Sequence, residues 1–418
     1  MDGIILKGIK CNKNHIEYHF KVTGTLKPYF STDTLFIEYQ EDMSAIPQSI
    51  LVIPFVACII PLMWVTNTVM WVKEIDQTFY EAILSIHNAY QRLYSHFPLK
   101  GNLIPANFIE NKLDEKRESL LLFSGGLDAN CTYTRIRKTN PLLFNIQGWY
   151  EKLTDIDKAA DADIRDVNKF AKHEGLDCTF AKSNFAVIVN EKLWGKNIRP
   201  KFGDSWWHGF NHSMAFISIA IPLAYKLGIK NIYIASSVPM GEFCMCASNV
   251  TTDSEFRFAN IGKCIHDGSE LVRQDKIRTV VEYQKQTEKT YPIRVCSFND
   301  HNCCECEKCF RTVLGLVAEA VNVSDFGFNT EKPLKEHWEA VMYRRSGLMS
   351  FKSERILHWP YIIPRMKVNY HKMNQEQKEF VDWFLSFDFD KAQKESRRRY
   401  YHHNFLSILK RKLHINKI

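Results

Sequence analysis

The apolar run Leu120-Leu121-Leu122-Phe123 passes directly into Ser124-Gly125-Gly126-Leu127-Asp128-Ala129, and few chain geometries accept that order of residues. Four consecutive apolar residues predict a short buried strand, the glycine pair a tight turn with close backbone approach, and Asn130 to Lys138 a helix. Strand, glycine bend and helix in that order aim the N–H groups of the bend and the unsatisfied donors of the first helical turn at one place, which favours an anion there. A Walker loop needs a Lys-Ser/Thr pair after its last glycine, and Leu127-Asp128-Ala129 stands in that place instead.

Downstream the same alternation continues. Leu142 to Ile146, Cys178 to Ala181 and Ile232 to Ala235 predict three more strands, and Asp155 to Glu174 and Met214 to Leu227 the helices between them. Strands alternating with helices imply an α/β fold, a parallel sheet with helices on both faces. Ligands of such sheets sit beyond the carboxyl ends of the strands, near the point where strand order reverses, and the Ser124 bend follows the first of these strands.

At 418 residues, 45% of them hydrophobic and 13% aromatic, the chain is long enough for two or three domains with sizeable cores. The expected division is a mixed β/α N-terminal domain over 1–112, a core over 113–320 and a helical C-terminal extension over 321–418. Ile4 to Tyr39 predicts several short strands, Asp76 to Phe97 an amphipathic helix and Pro98 to Asn111 a linker. No charged residue lies between Asp42 and Lys73, but Pro47, Pro54 and Pro61 divide that stretch into pieces too short to span a bilayer, so a buried element and no membrane span are expected. Trp338, Trp359 and Trp383 of the C-terminal extension are expected to pack in its core.

Cys296, Cys303, Cys306 and Cys309 form a C-x6-C-x2-C-x2-C pattern, with a further thiol at Cys304 competing with Cys303. Cysteines three apart turn both sulfurs onto one ion, and four thiolates suit the closed tetrahedron of structural Zn²⁺, ahead of an iron–sulfur cluster. The chain opens Met1-Asp2-Gly3-Ile4 with no signal-peptide pattern, so a reducing cytoplasm is expected, where disulfides are rare.

The bend and the cysteine pattern together resemble the N-type ATP pyrophosphatases, and more narrowly their 7-cyano-7-deazaguanine synthase branch. That family carries an SGGxDS loop and, well downstream, a Cys followed by CxxCxxC. Gln274-Asp275-Lys276-Ile277-Arg278 is similar to its short "DKAE" stretch and Val295-Cys296-Ser297 to its "TCY". The resemblance runs from Glu118 to Gly315. It implies an adenine nucleotide alpha hydrolase-like core and ATP held at Ser124, Gly125, Gly126 and Leu127. It also implies Mg²⁺ positioned by Asp128, and fixed positive charge from Lys276 and Arg311. The implied activity is a ligase that releases AMP and pyrophosphate while activating a carboxylate or amide oxygen for a nitrogen donor, giving an amide or nitrile. Ala129 departs from the final Ser of the loop. The Arg-Asn pair and the "DYSGYPDCR" stretch of the family are missing, and His208 to Ser213 and Ser236 to Phe258 stand in their places, so the second-substrate pocket is expected to differ.

His208 and His212, four apart at a helix start, are candidate bases or substrate contacts, or else satisfied capping histidines. Asp204 and Asp253 are further pocket candidates. Base sulfuration on tRNA is a rival reading that needs a catalytic thiol outside the cluster, for which Cys244 and Cys246 are the attractive pair. Conjugation of a nucleobase-like group to a protein partner in a defence or modification system is another. A non-catalytic ATP-binding scaffold is the third. The net charge of +8 equals that of the last stretch alone, where nine Lys/Arg and one Glu follow from Lys391 onward. A general nucleic-acid surface is therefore not expected, and the basic tail from Arg397 to Leu413 is left as a contact for RNA, anionic lipid or a partner.

Overall fold

The computed structural model describes residues 2–149, 156–239, 246–296 and 299–403. The chain divides into two compact units, residues 1–271 and 272–418. Cys244, Ser297 and the tail beyond residue 403 lie outside the described residues.

One sheet of eleven strands organises the first unit: β1 (Gly3–Asn12), β2 (His15–Thr23), β3 (Thr34–Tyr39), β4 (Val69–Asp76), β5 (Asn102–Ile109), β6 (Arg117–Leu122), β7 (Leu142–Gln147), β8 (Cys178–Ser183), β9 (Ile229–Ala235), β10 (Arg257–Phe258) and β11 (Gly262–Asp267). Their order is β10-β11-β9-β6-β7-β8-β3-β2-β1-β4-β5. The run β11-β9-β6-β7-β8 is parallel throughout. Both faces of its central strands are covered, and all six residues of β7 are buried, Asn145 and Gln147 included.

Helices Leu127–Ile136 and Ile156–Glu174 pack on β6, β9, β7 and β8, and the helix His212–Leu227 packs on β9, β6 and β7. Right-handed crossovers send the chain from β6 out to β8 and then back past β6 to β9, which puts the first two helices and the third on opposite faces. Strand order therefore reverses between β6 and β9.

The uncharged stretch after Asp42 forms the helix Ile53–Thr66, of 14 residues and almost wholly buried, packed against His212–Leu227. Among the described residues no helix is long and apolar enough to cross a membrane.

Three sequence expectations differ from the structure. The strands of the N-terminal segment continue the sheet of the core, because β3 pairs antiparallel with β8 (Tyr39 opposite Ala181), so the compact units divide at Leu271/Val272 and not near residues 112 and 320. Residues 102–109 are the edge strand β5, where an edge position tolerates the Pro105 that reads as a linker in the sequence. The helix expected from Asp76 begins one residue later as Gln77–Leu93, with Asp76 as the last residue of β4 and the N-cap that accepts from Phe79 N at 2.9 Å.

The second unit is helical. Arg273–Thr287, Glu307–Ala318, Leu334–Arg345, Trp359–Asn369, Gln375–Ser386 and Phe389–His403 are its longer helices. Its core is aromatic: Trp338, Trp359 and Trp383 are all buried, and Phe310 lies 4.7 Å from Trp338 between ring centroids. Packing is thus the role of these tryptophans, as expected.

Candidate functional site

Beyond β6 the ladder holds for one more residue, with Phe123 N donating to Phe144 O at 2.9 Å and Asn145 Nδ2 donating to Phe123 O at 2.9 Å. The chain then turns. Gly125 takes a left-handed φ of +73°, which an L side chain adopts only with strain, while open space surrounds the position. Gly126 is the N-cap of the helix Leu127–Ile136 and supplies no side-chain cap. Asn130, buried one turn into that helix, donates to Gly125 O at 3.0 Å and Gly126 O at 2.9 Å. Both loop carbonyls are thereby tied inward, and the first-turn N–H groups, which have no intrahelical acceptor, stay available to an anion.

The bend opens on a cleft at the carboxyl ends of β6, β7 and β9. Ser124, Asp128 and Ala129 line it from the bend, Asn145 and Trp149 from the β7 end, and His212, Ser237 and Ser248 from the opposite side. The structure thus brings three sequence candidates, Ser124, Asp128 and His212, into one cleft at the reversal of strand order. Ser124 is exposed and its Oγ accepts weakly from Gly126 N at 3.4 Å.

Trp207–Asn211 is a π-helical turn leading into His212–Leu227. Such turns recur at functional sites because the wider helix re-aims side chains. His208 and His212 share a face, as their spacing predicts, with rings 6.3 Å apart. His208 Nδ1 pairs with Asp204 Oδ2 at 2.6 Å. His212 Nδ1 lies 2.9 Å from Trp207 O, and a carbonyl only accepts, so Nδ1 carries the proton and Nε2 offers its lone pair. That lone pair faces Cys246 Sγ at 3.7 Å. Asp253 is fully buried, its Oδ2 accepting from Ser248 Oγ at 3.0 Å and pairing with His266 Nδ1 at 2.8 Å.

Burial lowers the His212 pKa from its ordinary 6.5, against the opposing pull of the Trp207 carbonyl. The unfolded chain then takes up the proton first, so the stability contribution is full above pH 6.5 and falls as the pH drops below that value toward the depressed folded pKa. Urea midpoints measured from neutral pH downward should show this loss, with a slope no steeper than about 1.4 kcal/mol per pH unit. His212→Asn, which keeps a donor for Trp207 O, should flatten that part of the profile.

In the second unit the sulfur atoms of Cys296, Cys303, Cys306 and Cys309 all lie within 4.8 Å of one another, a group able to hold a metal ion. Cys303 belongs to the group through its sulfur, to which Glu305 N donates at 3.4 Å. Cys304 stands apart from the group. It occupies a left-handed φ of +51°, its carbonyl accepts from His337 Nε2 at 2.8 Å, and burial pushes its thiol up to about 12. Lys276 is buried on the helix Arg273–Thr287. Arg311 NH1 donates to Glu354 Oε1 at 2.9 Å and lies 3.0 Å from His358 Nε2. Burial pushes the Glu354 carboxyl up to about 7 despite that guanidinium.

The anchoring role of Asn130 was not foreseen, although an amide four residues after a helix-capping glycine is positioned to reach back to it. Asn145, Trp149 and Ser248 were also missed as cleft residues, and nothing local in the sequence marks them. No family model matches the chain, and no curated protein matches it.

Proposed function

We propose that the chain is an ATP-dependent adenylating enzyme with an adenine nucleotide alpha hydrolase-like core, releasing AMP and pyrophosphate. The supporting observation is the glycine bend with inward-tied carbonyls, placed at the reversal of strand order with Asp128 and His212 in the same cleft. Bend N–H groups hold the β,γ-phosphates, and Asp128 positions the Mg²⁺ that offsets charge building on the leaving pyrophosphate. The α-phosphorus is left open to a carboxylate or amide oxygen, and a nitrogen nucleophile then displaces AMP. Residues of the first unit carry this reading on their own. The four-cysteine group binds Zn²⁺ in a structural role, since four thiolates leave no open coordination position.

Incubation with ATP, Mg²⁺, ammonia and a panel of small carboxylic acids and amides should release AMP and pyrophosphate with the right acceptor. Release of ADP and orthophosphate would contradict the assignment.

A further inference from the structure

We propose that Cys246 is a nucleophile of this cleft, taking the activated acyl group as a thioester before the nitrogen donor arrives, with His212 Nε2 accepting its proton. This deepens the adenylation reading and rests on it. The thiol and the imidazole stand 3.7 Å apart, and the Trp207 carbonyl fixes the ring in the tautomer that presents a lone pair to sulfur. The same ring lines the cleft that holds Ser124 and Asp128.

The backbone beside the thiol is held in place. Ala247 N donates to His208 O at 2.7 Å, and Ala247 O accepts from Ser213 Oγ at 2.8 Å, Thr252 Oγ1 at 3.0 Å and Tyr90 Oη at 3.1 Å. These bonds hold the backbone next to Cys246 against the turn and helix that carry His208 and His212, which is the kind of support a preorganised nucleophile and base need. Cys58 and Cys264 differ: they lie in the apolar core, where burial pushes their thiols up.

The chemistry balances without a redox partner. A C–S bond forms at the acyl carbon, the C–O bond to the α-phosphate breaks, and AMP leaves with the electron pair while the thiol proton passes to Nε2 and on to solvent. The nitrogen then attacks the thioester, a C–N bond forms, and the C–S bond breaks. The proton shed by nitrogen returns through the imidazole to the thiolate.

The test uses the full chain and iodoacetamide near neutral pH, with labelling of each cysteine peptide followed by mass spectrometry. Cys246 should react at least about tenfold faster than Cys58 and Cys264, and His212→Asn should slow Cys246 by about tenfold without changing the other two. With an acid that supports AMP release, acid-quenched protein should carry the acyl mass on the Cys246 peptide, removable by hydroxylamine. Cys246→Ser should lower amide formation by about a hundredfold or more. AMP release by a protein whose Cys246 labels no faster than Cys58, or undiminished amide formation by Cys246→Ser, overturns this inference alone. A fast, His212-dependent Cys246 in a protein that releases ADP supports the thiol–imidazole pair and overturns the adenylation reading instead.

Discussion

Replacing Asp128 with asparagine should lower AMP release by about 10²–10³-fold at saturating ATP, the scale expected when the carboxylate that positions the charge-offsetting Mg²⁺ is removed. Asp128 is the second residue of the helix Leu127–Ile136 and lines the cleft with Ser124. Asparagine keeps the size and one oxygen of the side chain and removes the charge. A carboxylate in the first helical turn also favours the positive end of the helix, a contribution of only about 0.3–1 kcal/mol. The two roles therefore separate: activity should collapse while the urea midpoint moves little. Activity within about threefold of the parent would leave Asp128 as a helix-start carboxylate and remove it from metal positioning.

Cys309→Ser should produce the other large effect, loss of bound metal together with the fold of the second unit. Cys309 is fully buried at the start of the helix Glu307–Ala318, its sulfur 3.9 Å from that of Cys303. Serine cannot supply a thiolate, and structural zinc contributes about 10–16 kcal/mol in small zinc domains, more than a domain of ordinary stability can lose. Metal analysis should fall from about one equivalent to a trace, and limited proteolysis should cut within residues 272–403. Cys304→Ser is the control. Its thiol lies outside the four-sulfur group, so metal content should be unchanged. Metal retention by Cys309→Ser, or loss in Cys304→Ser, would contradict the assignment of ligands.

The parts of the molecule that the sequence disclosed are those governed by neighbours along the chain. Leu120 to Phe123 followed by two glycines is a local instruction, and the strand, the left-handed turn at Gly125 and the helix follow from it. The spacing of Cys303, Cys306 and Cys309 is local in the same sense, and it brought in Cys296. What stayed hidden depends on residues distant in sequence. The N-terminal strands join the core sheet because Ile37 to Tyr39 pair with Ala181 to Ser183, and the edge strand β5 carries a proline that reads as a linker. Arg311 was expected to supply fixed positive charge, and its partner, the buried Glu354 of a helix well downstream, has no local mark in the sequence. His212 and Cys246 were each singled out, but for separate readings. Their pairing depends on a π-helical turn and on the anchoring of Ala247, neither of which leaves a local pattern.

The most direct test of the account is a crystal structure of the full chain soaked with a non-hydrolysable ATP analogue and Mg²⁺. The β,γ-phosphates should lie against the N–H groups of Gly125, Gly126 and Leu127, with the metal beside Asp128 and the α-phosphorus facing the His212 side of the cleft. A triphosphate bound elsewhere on the chain, with the bend empty, would contradict it.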